Sequence, residues 1–159
     1  MLYPKVDAKV LGFLGRALSL ELTAVQQYKT SARLLKLRGF EELSVKCERE
    51  SKTEIEHVER IIERMIVLGS APSASRLRPV ALGGSVPELI ASIERLEKEV
   101  AEFYRQASDY CRKIDDYDNH LFFHRLMQDE VKHADSLNTV QPGAVAEFTA
   151  AEKRRGAEQ

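Results

Sequence analysis

Cysteine is scarce in this sequence: Cys47 and Cys111 stand far apart and outside any CxxC pattern. That scarcity excludes a disulfide framework and leaves two buried thiols in a reducing compartment as the expectation. Charge of one sign is missing too. Lys and Arg number 24 against 25 Asp and Glu, for a net charge of −1, so nothing electrostatic points to nucleic acid or an anionic membrane as partner. Charges interrupt every apolar run before membrane-spanning length. The N-terminal MLYPKVDAKV lacks the apolar h-region of a signal peptide, so the expected location is cytoplasmic. Glycine (8) and proline (5) are few and concentrate outside the stretches that read as helical.

What remains is a chain of 159 residues, 43% apolar and 31% charged, which suits a single domain spanning 1–159 with a proper core. Its periodicity is helical. A first helix is expected from about Asp7, an N-cap residue, to Arg38, with Gly39 as its stop. A second runs from about Glu41 to Leu68 and stops at Gly69. The Gly-, Pro- and Ser-rich stretch 69–85 reads as a loop. Ser85, Pro87 and Glu88 form a capping-box signal that opens a third helix to about Arg112. The KIDDYDN stretch is the next turn, and a fourth helix continues to about Val140, where QPG ends it. A short polar helix or tail is expected over 143–159. Strand signals are absent, so the fold class is all-α, a four-helix bundle over about 5–140 with one long crossover.

Each helix carries an inward stripe at heptad-like spacing. The stripes run Leu14, Leu18, Glu21, Val25, Tyr28 in the first and Cys47, Glu50, Glu54, His57, Ile61 in the second. They continue as Ile93, Glu97, Val100, Tyr104 in the third and Phe123, Leu126, Glu130, His133, Leu137 in the fourth. Every stripe is apolar except near its middle, where a glutamate takes a core position. An unpaired buried charge costs several kcal/mol, and no Lys or Arg lies on these stripes to pair with the four.

Spacing brings the four glutamates together. Glu21 and Glu54 are 33 residues apart, as are Glu97 and Glu130. The midpoint of each pair falls at a predicted turn, so in an antiparallel hairpin each pair sits level. Tyr28 and Tyr104 each follow a glutamate by seven residues, which makes the two halves look like copies of one helical hairpin. Glu54-x-x-His57 and Glu130-x-x-His133 put a carboxylate and an imidazole on one helix face. Four carboxylates balance the charge of two divalent cations, and each imidazole adds a nitrogen ligand. One Glu-x-x-His is a weak signal; two, matched to two level glutamates, are a strong one.

These residues resemble the bacterioferritin family in LELTAVQQY around Glu21, ESKTEIEHVERIIERMIVLGSAPS around Glu54 and His57, Glu97, and DEVKHAD around Glu130 and His133. The likeness runs from about residue 5 to about residue 138. It implies a ferritin-like fold and a ferroxidase centre of two iron ions. In that centre Glu54 and Glu130 bridge the irons, Glu21 and His57 complete one site, and Glu97 and His133 complete the other. It further implies Fe(II) with O2 or H2O2 as reactants, and an oligomer that is at least a dimer and, by family analogy alone, a 24-subunit shell. In QQY it gives Tyr28 a redox role, supplying an electron to reduced oxygen species. The plainer reading of Tyr28 and Tyr104 is a core hydroxyl bonded to a ligand carboxylate.

The sequence departs from the family pattern in three places. Ile55 stands where the family has a haem-ligating methionine, and isoleucine has no donor atom, so this chain alone is not expected to hold haem. Arg49 and Thr53 replace the family's cavity-facing His and Asp, putting inward iron transfer in question. The tail after Pro142 is short and polar for a fifth helix. His120 and His124 read as end-of-bundle histidines rather than an iron transit site. The expected function is Fe(II) oxidation for iron storage or detoxification. Two alternatives stay open: a di-iron or di-manganese oxidase or catalase, and a haem-free subunit sharing a mixed shell with a haem-bearing partner.

Overall fold

In the computed structural model, residues 5–138 are described, residue 75 excepted. They form four helices in two hairpins, α1 (Ala8–Leu37) with α2 (Glu41–Val67) and α3 (Val86–Lys113) with α4 (Tyr117–Asn138). No strand occurs among the described residues, and none of their helices is long and apolar enough to cross a membrane. The expected helix end near Val140 and the segment 143–159 lie outside the described residues.

The ends of the helices follow from local chemistry. Asp7 caps α1, its Oδ1 accepting from the backbone N–H of Lys9 at 2.8 Å and of Val10 at 3.3 Å. Three helices end in the same double backbone bond, in which the chain turns left-handed and the second N–H beyond it reaches back. Phe40 donates to the Leu35 carbonyl, Ser70 to that of Met65 and Asp116 to that of Cys111, at 2.9, 2.8 and 2.9 Å. The left-handed residues are Gly39 (φ 87°), Gly69 (φ 74°) and Asp115 (φ 59°). At α3 the Ser85 Oγ accepts from Glu88 N–H as a capping box requires, but the Glu88 carboxylate reaches back to Gly84 N–H, one residue earlier than the motif's usual target. The KIDDYDN turn is shorter than expected. Asp116 accepts from Asn119 N–H at 3.2 Å and from Asn119 Nδ2 at 2.7 Å, which starts α4 already at Tyr117.

The hairpins pack through α1 and α3. Asp7 meets Tyr110, Glu21 meets Tyr104 and Tyr28 meets Glu97, so the two helices run antiparallel. Between α2 and α4, Arg60 bonds Asp129 at 3.0 Å and Arg64 bonds Asn119 at 2.8 Å. Lys46 reaches the Ser136 carbonyl at 2.8 Å. The crossover is fastened to α1 by the Gln27 amide, which donates to the Ala81 carbonyl at 2.8 Å and accepts from its N–H at 2.9 Å. Arg78 then clamps Glu99 of α3 with two bonds of 2.7 and 2.6 Å.

Apolar burial is divided in two. One cluster centres on Phe13, Leu14, Phe103 and Phe123, with Phe13 ringed by Phe103, Tyr110 and Phe123 at 5.8, 5.7 and 6.2 Å between centroids. The other gathers Leu35, Leu43, Leu89, Ile93 and Leu137 at the opposite end. A belt of fully buried carboxylates lies between them. Both cysteines are buried and unpaired, with thiols pushed up to about 12 chiefly by loss of solvent.

The helix stops can be tested in opposite directions. Gly39→Ala should cost about 1 kcal/mol, because a Cβ is disfavoured at positive φ, and lower the thermal midpoint by roughly 2–4 °C. Asp115→Gly should be neutral or stabilising, since it removes a Cβ from the same conformation. A calorimetric scan of each variant checks the pair.

Candidate metal centre

The belt between the two apolar clusters is built from one glutamate per helix. Glu21, Glu54, Glu97 and Glu130 are all at most 1% exposed, and His57 is 2% exposed. Among the described residues no Lys or Arg pairs with any of these carboxylates. Their close partners are the two histidines. His57 Nδ1 lies 2.9 Å from Glu130 Oε1, 3.1 Å from Glu54 Oε2 and 3.5 Å from Glu21 Oε1. His133 Nδ1 lies 3.0 Å from Glu54 Oε1, 3.6 Å from Glu130 Oε2 and 3.9 Å from Glu97 Oε2. The two imidazoles stack with centroids 5.6 Å apart.

Two groups of potential ligand atoms result, each with its atoms within 4.8 Å of one another: Glu21, Glu54, His57 and Glu130, and Glu54, Glu97, Glu130 and His133. Glu54 and Glu130 belong to both. Several buried atoms here lack a hydrogen-bond partner: Glu21 Oε2, Glu54 Oε1, Glu97 Oε2, Glu130 Oε1 and His133 Nδ1. The 3.0 Å approach of His133 Nδ1 to Glu54 Oε1 is thus a proximity without hydrogen-bond alignment. Buried polar atoms are nearly always satisfied. Oxygen and imidazole nitrogen atoms left orphaned around shared centres are a donor set suited to divalent cations.

Without a cation, protons hold this belt together. Burial raises the Glu21 carboxyl well above its ordinary range, with the neighbouring Glu130 adding to the shift. Glu97 is raised likewise, by burial and by the neighbouring Glu130. Burial opposes charge on Glu54 and Glu130 as well, yet their neighbours overcome it and keep both low, the two close imidazoles for Glu54 and Glu97 with the imidazoles for Glu130. Burial disfavours charge on the imidazoles too, but the carboxylates outweigh it, so His57 rises strongly and His133 rises to about 10. The rise of Glu21, Glu97 and both imidazoles offsets part of the negative charge that four bare carboxylates would carry.

Around this belt lie further partners. Tyr28 Oη donates to Glu97 Oε1 at 2.5 Å and Tyr104 Oη donates to Glu21 Oε1, so each tyrosine bonds a carboxylate of the opposite hairpin, the plainer of the two readings made of them. Asp129 Oδ2 stands 3.5 Å from His57 Nε2, and Glu50 Oε2 stands 3.8 Å from His133 Nε2. Neither was singled out as a partner of the histidines; Glu50 lies on the inward stripe, and Asp129 adjoins Glu130, but their role depends on which way the ring nitrogens point. His120 is tied to Ser108 at 2.9 Å and lies beside His124, with 5.9 Å between centroids. His120 and His124 sit ten and six residues from Glu130, about 15 and 9 Å along α4. Arg49 is exposed, and Ile55 is 38% exposed on the outer side of α2.

A family model described as Ferritin-like domain matches residues 12–141. Bacterioferritin of Rhodobacter capsulatus is 36% identical over 135 residues, covering 85% of this chain and 84% of the relative. The chain belongs to the bacterioferritin family. Bacterioferritin of Brucella melitensis biotype 1 is 33% identical over 135 residues, and that of Mycobacterium avium 32% over 133, each covering 84% of the relative. The solved structure of the R. capsulatus bacterioferritin superposes with a TM-score of 0.81 over 85% of this chain and 84% of that one. That protein has a metal-free dinuclear site and a haem iron in a crystallographic special position. The all-α, ferritin-like bundle with one long crossover is therefore the fold of this bacterioferritin-family chain.

The raised imidazoles make cation uptake a proton exchange. Loading with two equivalents of a divalent ion at pH 7 should release protons from His57 and His133, so affinity should fall as pH falls. Calorimetric titration in buffers of different ionisation enthalpy measures that release. For the cation-free protein the sign runs the other way. The folded His133 value of about 10 lies above its ordinary 6.5, so its contribution to stability is complete below 6.5 and lost as pH rises towards 10. The cation-free melting temperature should accordingly fall over that window, more steeply than that of the loaded protein.

Proposed function

We propose that this bacterioferritin-family chain oxidises Fe(II) at the Glu21–Glu54–His57–Glu97–Glu130–His133 belt and serves iron storage or detoxification. The observation that carries the reading is the sharing of Glu54 and Glu130 between two donor sets, each completed by its own glutamate and histidine. Fe(II) is the substrate, as two ions per chain. Glu54 and Glu130 span both positions, Glu21 with His57 serves one, and Glu97 with His133 the other. Paired Fe(II) supplies two electrons, which O2 takes with two protons to give H2O2, or which H2O2 takes with two protons to give water.

The residues of the chain fit that chemistry without further help. Both histidines reach the shared carboxylates through Nδ1, while Asp129 and Glu50 stand 3.5 and 3.8 Å from the opposite ring nitrogens. The two apolar clusters above and below exclude bulk water, so carboxylates screen the cations rather than solvent. A cytoplasmic oligomer, at least a dimer and by family analogy a 24-subunit shell, belongs to this reading.

Haem does not fit this chain alone. Ile55 occupies the outward position next to Glu54 and offers only a methyl-bearing surface. That favours, as a second reading, a haem-free subunit that shares its shell with a haem-bearing partner. The purified homo-oligomer should then lack a bis-methionine haem spectrum even with haem abundant during expression. Ile55→Met should create or strengthen such binding. Stoichiometric bis-methionine haem in the unmutated protein would contradict this placement of α2.

The ferroxidase reading is tested by stopped-flow mixing of the Fe(II)-loaded protein with O2 or H2O2. Glu54→Ala and Glu130→Ala should each slow oxidation by more than the roughly 10–100-fold typical of residues outside the ligand set. Both variants should remain folded in the cation-free state, because an imidazole can give up its proton when the carboxylate that held it is deleted. Oxidation at the wild-type rate in either one would remove it from the ligand set.

A further inference from the structure

The two tyrosines that reach across the hairpin interface form a reciprocal pair. Tyr28 of α1 donates to Glu97 Oε1 of α3 at 2.5 Å, and Tyr104 of α3 donates to Glu21 Oε1 of α1. Both rings are fully buried. Each hydroxyl engages one oxygen of a carboxylate that belongs to only one of the two donor sets. The second oxygen of each, Glu21 Oε2 and Glu97 Oε2, is buried with no hydrogen-bond partner. Glu54 and Glu130, which belong to both sets, receive no tyrosine hydroxyl; their close partners are the imidazoles.

We infer that Tyr104 is a positioning residue equal in rank to Tyr28, and that the pair restricts Glu21 and Glu97 to one ligand oxygen each. The inference rests on the dinuclear reading given above and adds to it. A carboxylate can grip a cation through both oxygens or through one, and the two modes differ by a rotation of the carboxyl plane. A hydroxyl bonded to one oxygen opposes that rotation, because chelation would turn the bonded oxygen away and leave a buried phenol unsatisfied. On the Glu97 side the unbonded oxygen is the one facing His133 Nδ1, at 3.9 Å. On the Glu21 side the bonded oxygen is itself 3.5 Å from His57 Nδ1. A single oxygen per end glutamate keeps coordination low and leaves room for an oxidant at both positions.

The restriction is local to each end of the belt. Tyr104 acts on the Glu21–His57 position and Tyr28 on the Glu97–His133 position, so their effects separate by site and add in the double variant. Phenylalanine keeps the ring in its apolar cage, where Tyr104 stacks on Phe123 at 6.2 Å and packs against Phe103 at 5.7 Å. It removes only the hydroxyl.

The test uses Co(II), whose visible absorption is intense when few ligands surround it and weak when six do. Wild-type protein titrated anaerobically with Co(II) should take up two ions per chain and show intense bands for both. Tyr104→Phe should still bind two, with the bands of one ion weakened as Glu21 becomes free to chelate. Tyr28→Phe should weaken those of the other, and the double variant both. Two bound ions with spectra unchanged in Tyr104→Phe would overturn the inference while leaving the dinuclear reading intact. Fewer than two ions on the wild-type chain would overturn the dinuclear reading and the inference with it. Circular dichroism of each variant confirms that the helices persist, so that a spectral change reports the carboxylate and not the bundle.

Discussion

Four carboxylates at mid-bundle, with no Lys or Arg beside them among the described residues, are the constraint to which the rest of this structure answers. Buried charge of one sign is among the most costly features a small core can hold. The fold meets that cost by placing one glutamate on each helix at one level, so that the charges share neighbours instead of standing alone. Two imidazoles enter between them, and the raised affinity of Glu21 and Glu97 for protons eases the repulsion further. The same six side chains form the two overlapping donor sets, so the groups that bear the cost of burial are those a divalent cation would meet.

The scaffold is arranged around that belt rather than merely containing it. Apolar clusters close it above and below, each fed by all the helices it can reach, and the aromatic cluster around Phe13 locks α1 to α3 near one end. Tyr28 and Tyr104 extend the belt's hydrogen bonding across the same α1–α3 interface. Arg60 with Asp129 and Arg64 with Asn119 fix α2 against α4, which sets the height of His57 relative to Glu130. The crossover is no slack connection, since Gln27 and Thr23 of α1 and Glu99 of α3 each hold its backbone or its Arg78. Register between hairpins, and with it the overlap of the two donor sets, depends on these polar fasteners.

Much of this was legible in the sequence because helical periodicity and hairpin symmetry are both matters of counting. A 33-residue separation repeated in each half places Glu21 level with Glu54 and Glu97 level with Glu130. Gly39 and Gly69 announced two helix ends through the conformation that only glycine adopts cheaply. Asp115 announced nothing, because an aspartate in that left-handed position is chosen by the backbone bonds of its neighbours. The length of the KIDDYDN turn was overread for a similar reason: Asp116 caps α4 through Asn119, a contact that composition does not reveal. Asp129 and Glu50 were not assigned as histidine partners because a ring's second nitrogen has no sequence signature. The pairing of Tyr28 with Glu97 and Tyr104 with Glu21 crosses hairpins, and spacing within one chain half could suggest a carboxylate partner without saying which.

The account stands on two cations sharing Glu54 and Glu130 in the middle of one chain. Anomalous diffraction from crystals soaked anaerobically in Fe(II) measures this without reference to rate or colour. The predicted map has two iron peaks per chain, both touching Glu54 and Glu130, one adjoining Glu21 and His57 and the other Glu97 and His133. A single peak, or iron confined to the chain surface with the belt still holding only its protons, would contradict it.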